Sequence, residues 1–145
     1  MSEKYAVFGN PIEHSKSPEI HRAFADQTGQ TMEYRRQLVD AEGFVAAADA
    51  FFDTGGKGLN ITVPFKLDAY GYVSRTTPRA RRAGAVNTLV MQTNGIILGD
   101  TTDGVGLVND LKNNLGWEIR AKRVLILGAG GAVRGILEAI LEQQP

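Results

Sequence analysis

The feature that most constrains this chain is an alternation of two periodicities across residues 5–63. Tyr5-Ala-Val-Phe8 is a continuous apolar run ending at Gly9, which suits a strand buried on both faces. Ile20, Ala23, Phe24 and Gln27 follow at helical spacing, with Ser17 suited to the N-cap, Pro18 to the first helical position and Gly29 to the C-cap. Met32, Tyr34, Arg36 and Leu38 alternate with Glu33, Arg35 and Gln37, a second strand near a sheet edge. Asp40 can cap the next helix, whose apolar face is Phe44, Val45, Ala48, Phe51 and Phe52 and whose end is Gly55-Gly56. In the third strand Leu59, Ile61 and Val63 alternate with Asn60 and Thr62, and Pro64, lacking an N–H, stops it. Strand, helix, strand, helix, strand implies parallel pairing with right-handed crossovers. The phenylalanines are then core rather than a ligand box.

The second half continues the theme less regularly. Residues 66–83 suit short, irregular helix, and Arg75, Arg79, Arg81 and Arg82 form a basic run. A solvated face is the expected reading of that run, and contact with a phosphorylated ligand the lesser one. Gly84-Ala-Val-Asn-Thr-Leu89 enters a strand, Asn94-Gly95 signals a tight turn, and Ile96-Ile-Leu98 pairs back, a hairpin at the edge of the parallel set. Gly99-Asp-Thr-Thr-Asp-Gly104 then leads into a helix through Val105, Leu107, Val108 and Leu111. Arg123-Val-Leu-Ile-Leu-Gly128 reads as a buried strand running into a glycine turn and an apolar helix, Ile136 to Leu141. The expected class is α/β: a three-layer α/β/α domain with a mainly parallel sheet and an antiparallel edge hairpin, followed by the beginning of a Rossmann domain. The expected divisions are 1–102 for the first domain, 103–120 for a linking helix and loop, and 121–145 for the first βα unit of the second.

Composition excludes several classes of partner. At 145 residues and 43% hydrophobic, the chain can bury one ordinary core, or one domain and a piece of another. Sixteen basic residues balance sixteen acidic ones, so neither nucleic acid nor an anionic membrane is an expected partner. There is no cysteine, hence no disulfide and no thiolate metal site; no metal site of any kind is expected. The N-terminus carries no signal-peptide pattern and no apolar run approaches membrane-spanning length, so a cytoplasmic protein is expected.

Polar residues converge at the predicted strand ends. In open α/β sheets, ligands sit at the carboxyl ends of strands. Asn60, Thr62 and Lys66 offer an amide, a hydroxyl and an ammonium there, although an edge strand and a solvated lysine would use the same residues. Ser15 and Ser17 flank a helix N-terminus, whose free N–H groups suit a carboxylate or phosphate. Ser17 as a mere cap and Ser15 as a turn residue are the plainer alternative. Asn87 can fasten a loop, and Asp103 can be an N-cap. Gly128-Ala-Gly-Gly-Ala132, between a strand and a helix, is a dinucleotide-binding signal. Gly128 permits the tight turn and Gly130 a close backbone approach to a pyrophosphate, while Val133 stands where a small residue normally packs.

Five blocks together resemble the shikimate dehydrogenase family. They are Phe8-Gly-Asn-Pro11 with His14-Ser-Lys-Ser-Pro18, Asn60-Ile-Thr-Val-Pro-Phe-Lys66, Gly84-Ala-Val-Asn-Thr-Leu89, Gly99-Asp-Thr-Thr-Asp-Gly104 and Gly128-Ala-Gly-Gly-Ala132. They span nearly the whole chain in this order. The resemblance implies reversible NADPH-dependent reduction of 3-dehydroshikimate to shikimate, in chorismate and aromatic amino-acid biosynthesis. It implies Lys66 and Asp103 as the catalytic pair. Ser15 and Ser17 would hold the substrate carboxylate, and Asn60, Thr62, Asn87 and Asp103 the ring hydroxyls. Gly128, Ala129, Gly130, Gly131 and Ala132 would meet NADP(H). A relative using quinate as well is one alternative, and a non-catalytic shikimate-binding domain another. Members of the family are longer, so the chain is expected to be truncated and inactive by itself. Val124, Ile126, Ile136 and Ile140 are then expected to lie exposed and to favour self-association. Thr101 and Pro78 depart from common family residues, and neither is assigned a contact.

Overall fold

The computed structural model describes residues 2–145. β1 (Glu3–Gly9), α1 (Ser17–Thr28), β2 (Met32–Leu38), α2 (Phe44–Asp53) and β3 (Gly56–Ile61) realise the predicted alternation. α3 (Lys66–Tyr72), β4 (Arg75–Thr76), α4 (Pro78–Ala83), β5 (Thr88–Met91), β6 (Ile97–Asp100), α5 (Asp103–Asn109) and α6 (Gly131–Leu141) follow, with a single π-helical turn at Asp110–Asn114. The sheet runs β2-β1-β3-β5-β6-β4. β1 pairs in parallel with β2 and β3, while β5 is antiparallel to β3 and to β6.

That order decides where a site can form. The chain leaves β1 to one side for β2 and crosses back to the other side for β3, so the strand order reverses at β1. The loops after β1 and β3 therefore diverge and open a crevice at their carboxyl ends. β5 runs the opposite way, so its entrance residue Asn87 lies at the same end. The register Thr88↔Asp100 brings the end of β6 and the start of α5 there too.

One face of the sheet carries the main core. Ala6, Phe8, Leu59, Ile61 and Leu89 point into it and meet Phe44, Ala48 and Phe52 of α2, Phe65 and Ala69. Phe8 sits edge-on to Phe44 and Phe51, and Phe44 stacks on Phe65. The phenylalanines are core, as expected. α1 covers the other face incompletely, leaving a groove of about 590 Å³ along Tyr5, Phe24, Met32, Tyr34 and Val90. A second, smaller core joins Val108, Ile119 and Ile140, with Leu111, Ile126 and Ala139 packed against it.

Several local expectations fail for identifiable reasons. α1 starts at Ser17 with Lys16 as its cap residue, and α2 is capped by Gly43 rather than Asp40; neither helix has a side-chain cap. Ile20 and Phe24 are exposed because α1 turns Ala25 inward instead. Val63 lies beyond the end of β3 and is exposed too. The β5–β6 hairpin adjoins the edge of the parallel set β2-β1-β3 as expected, while β4, hidden within an apparently helical stretch, adds a short strand outside it. The run Arg123–Gly128 makes no strand, because none of the described strands lies beside it to form a ladder. The apolar residues of this run and of α6 sort unexpectedly. Ile140 is buried, and Ile126 and Ile136 are half-buried, while Val124, Leu125 and Leu127 are exposed.

The basic run is not simply a solvated face. Arg79 Nε donates to Asp100 Oδ1 at 2.7 Å, and its Nη2 pairs with Asp100 Oδ2. Thr77 Oγ1 also donates to Asp100 at 2.6 Å. Arg82 pairs with Glu138, tying α4 to α6. Burial works to raise the Asp100 pKa, but hydrogen bonds from Arg79, Thr77 and the Thr101 N–H outweigh it and hold the carboxyl below its ordinary value. The folded-state pKa is the lower one, so this contribution is present above the unfolded carboxylate value of about 3.9 and is lost as pH falls through the folded value. Denaturant titrations of Asp100→Asn against the parent chain should show lower stability at pH 7. The gap should narrow as pH falls below about 4; a gap independent of pH would contradict the assignment.

Candidate active site

The crevice at the strand ends is a cleft of about 460 Å³. Ser15, Ser17, Asn60, Thr62, Lys66, Asn87 and Asp103 all line it, with His14 and His21. Every residue expected to contact a small polar ligand is therefore in one place, although the seven come from four separate stretches. The glycine residues do not line this cleft; they follow it through α6.

Each side chain is placed by a nameable local cause. Phe65 is fully buried and anchors the turn before α3, so Lys66 enters the cleft at the first residue of that helix. Asp103 opens α5 but its carboxylate does not cap it. Instead Lys66 Nζ donates to Asp103 Oδ2 at 2.6 Å. The side chains are only 13% and 25% exposed, so water screens the pair weakly. Asn87 Nδ2 donates to Asp103 Oδ1 at 2.8 Å, occupying the other carboxylate oxygen. Asn87 Oδ1 accepts from the Thr102 N–H at 3.1 Å and from Thr88 Oγ1 at 2.7 Å.

The opposite wall is the start of α1. Ser15 Oγ donates to Ser17 Oγ at 3.1 Å and accepts from the Ser17 N–H at 3.3 Å. Arg36 Nε donates to the Ser15 carbonyl at 2.6 Å while its Nη2 holds Glu19, so β2 fixes this loop. Both hydroxyls thus lie beside the electropositive end of a 12-residue helix. Ser17 is not the cap of that helix, which leaves its hydroxyl free of the role the plainer reading gave it.

Three participants escaped sequence reading. Tyr34 Oη donates to Asn60 Oδ1 at 2.6 Å. Burial raises the Tyr34 pKa well above its ordinary value, opposed in part by Ser17, so it stays a neutral donor. His21 stacks on Tyr34 with ring centroids 4.1 Å apart and is bonded through Nδ1 to the Ser17 carbonyl. Its signal was available, since it lies four residues after Ser17 on the same helix face. Thr88 links Asn60 and Asn87, which only the β3–β5 register reveals.

The glycine turn meets this cleft through Lys66. Gly128 has φ +117°, which an L side chain rarely adopts. Gly130 is open to solvent, and α6 begins without a side-chain cap, so its first N–H groups are unclaimed by any side chain. These features suit a pyrophosphate. A Cβ on Gly131 would lie 2.9 Å from Lys66 Cβ, so this turn rests against the lysine stem. Val133 does not crowd a strand; the close packing occurs at Gly135, where a Cβ would lie 3.0 Å from Asp103 Oδ2 and 3.1 Å from Thr101 Oγ1. Among the described residues, no three His, Cys, Asp or Glu side chains cluster as a metal ion would require, and no helix is long and apolar enough to cross a membrane.

A model of the shikimate dehydrogenase substrate binding domain matches residues 7–89. The chain belongs to this family. It is 62% identical to a shikimate dehydrogenase (NADP(+)) of Cellvibrio japonicus over 145 residues, all of this chain but 52% of that protein. The shikimate dehydrogenase structure from Aquifex aeolicus superposes with a TM-score of 0.91 at 33% identity, over 99% of this chain and 53% of that one. The Thermus thermophilus enzyme, solved in complex with NADP(H) and shikimate, gives 0.87 at 32% identity, over 97% and 52%. The chain thus spans about half the length of the curated relatives it matches.

The packing at Gly135 yields a direct test. Gly135→Ala brings a methyl group to 3.0 Å from the Asp103 carboxylate, which Lys66 holds; moving that oxygen works against the roughly 0.5–1 kcal/mol that alanine gains in a helix interior, and the net stability should fall. The substitution should also shift the Lys66 and Asp103 side-chain resonances. Unchanged resonances with unchanged stability would show that α6 does not buttress the pair.

Proposed function

We propose that this chain forms the substrate-binding half of an NADP-dependent shikimate dehydrogenase, with 3-dehydroshikimate and shikimate as its ligands. The observation that carries the reading is the Lys66–Asp103 pair, 2.6 Å apart, in one cleft with Ser15, Ser17, Asn60, Thr62 and Asn87. Family membership supports it independently.

The chemistry follows from charge. A ketone that gains hydride develops negative charge on oxygen and needs a proton. Lys66 donates that proton, and takes it back when the alcohol is oxidised; Asp103, itself fixed by Asn87, holds the ammonium in place. Such proton transfer is typically worth ~10²–10⁴ in rate. Ser15, Ser17 and the α1 N-terminus hold the substrate carboxylate at the other end, fixing which ring carbon faces the lysine. Asn60, Thr62, Asn87 and Asp103 pair the ring hydroxyls, so an analogue lacking one leaves a polar group unmatched. NADP(H), when bound, supplies the hydride, and Gly128, Ala129, Gly130, Gly131 and Ala132 are the residues that would hold its pyrophosphate. These five do not contact the nicotinamide or the ribose 2′-phosphate in this reading, so the chain alone binds substrate without turning it over. Of the residues first expected to promote self-association only Val124 is exposed, and Leu125 and Leu127 join it.

Amide chemical shifts during a shikimate titration test this. Saturable changes are expected at Ser15, Asn60, Asn87 and Asp103, weakened by Lys66→Ala. A folded chain showing no such changes would sink the reading. NADPH-dependent turnover by the 145-residue chain would overturn the expected inactivity.

A further inference from the structure

The hydrogen bonds around the cleft run in one direction. Tyr34 Oη donates to Asn60 Oδ1 at 2.6 Å, Asn60 Nδ2 to Thr88 Oγ1 at 3.5 Å, Thr88 Oγ1 to Asn87 Oδ1 at 2.7 Å, and Asn87 Nδ2 to Asp103 Oδ1 at 2.8 Å. The direction is set at the Asp103 end. A reversed Asn87 amide would oppose its oxygen to the carboxylate and its NH₂ to the Thr102 N–H, a clash at both ends. Asn87 Oδ1 must therefore face Thr88. The Thr88 hydroxyl then donates its hydrogen to Asn87 and offers a lone pair to Asn60. Tyr34 cannot orient Asn60 alone, because a phenol oxygen both donates and accepts.

We propose that Thr88 is a positioning residue that transmits the polarity of Asp103 to Asn60, so that Asn60 presents an N–H to a ligand in the cleft. Thr88 lines the groove behind β3 and β5 and not the cleft itself, so it acts through the two amides. Valine in its place keeps the shape and the strand propensity but neither donates nor accepts; serine restores both. The 3.5 Å link is the weakest, so Asn60 depends on Thr88 more loosely than Asn87 does.

The role of Thr88 in ligand binding rests on the functional reading above, but the relay itself can be read without ligand. In the ligand-free chain, Thr88→Val should move the side-chain NH₂ resonances of both Asn87 and Asn60, and Thr88→Ser should leave both near their parent positions. An unmoved Asn60 in the valine variant overturns the relay. Shikimate affinity should fall roughly tenfold in Thr88→Val and return in Thr88→Ser, with the denaturation midpoint little changed. Equal affinity for all three chains overturns the positioning role. If the parent chain binds no shikimate, the functional reading fails, and the relay is decided by the resonances alone.

Discussion

The Lys66–Asp103 contact is the interaction on which the rest of the site depends. It spans α3 and α5, which lie 37 residues apart in sequence. Two charges this shielded are tolerated only when their remaining hydrogen-bonding capacity is met. Asn87 meets it on the carboxylate, and Asn87 is in turn held by Thr88 and the Thr102 N–H. Removing either charge would leave the other unmatched in a poorly solvated place. The pair is therefore both the chemical centre of the cleft and the tie between the sheet and the segment that follows it.

Topology explains why such a pair can exist. The reversal of strand order at β1 opens the crevice, and the antiparallel β5–β6 hairpin delivers Asn87 and Asp103 to the same end of the sheet. α6 then closes against α5 through Gly104 and Gly135, where a Cβ on Gly104 would lie 2.8 Å from the Gly135 carbonyl. Arg82–Glu138 supports the same junction from α4. The glycine turn thus rests against Lys66, a wall of the cleft, while α6 packs behind Asp103, an arrangement that would place a cofactor beside the substrate.

Much of this was legible in the sequence, for a physical reason. Parallel strands buried on both faces leave long apolar runs, and the polar residues that interrupt them at strand ends stand out, as Asn60, Thr62 and Lys66 do. Positions set by cross-strand register were invisible. Nothing local marks Thr88 as the link between two amides, or Tyr34 as the partner of Asn60. Capping was misjudged at Ser17 and Asp40 because loop geometry moved the helix starts. The apolar run Arg123–Gly128 has a strand's composition but forms none, since a ladder needs a neighbour that pattern alone cannot supply. Burial then followed the second core, taking Ile126 and Ile140 inward and leaving Leu125 and Leu127 outside.

The central claim is that the substrate site is already assembled within these 145 residues. A crystal structure of the chain grown with shikimate tests it most directly. The account predicts the ligand carboxylate against Ser15 and Ser17, with a ring hydroxyl within hydrogen-bond distance of Lys66 Nζ and Asp103. A cleft left empty at saturating shikimate, or ligand lodged in the groove along Tyr5 and Val90, would contradict it.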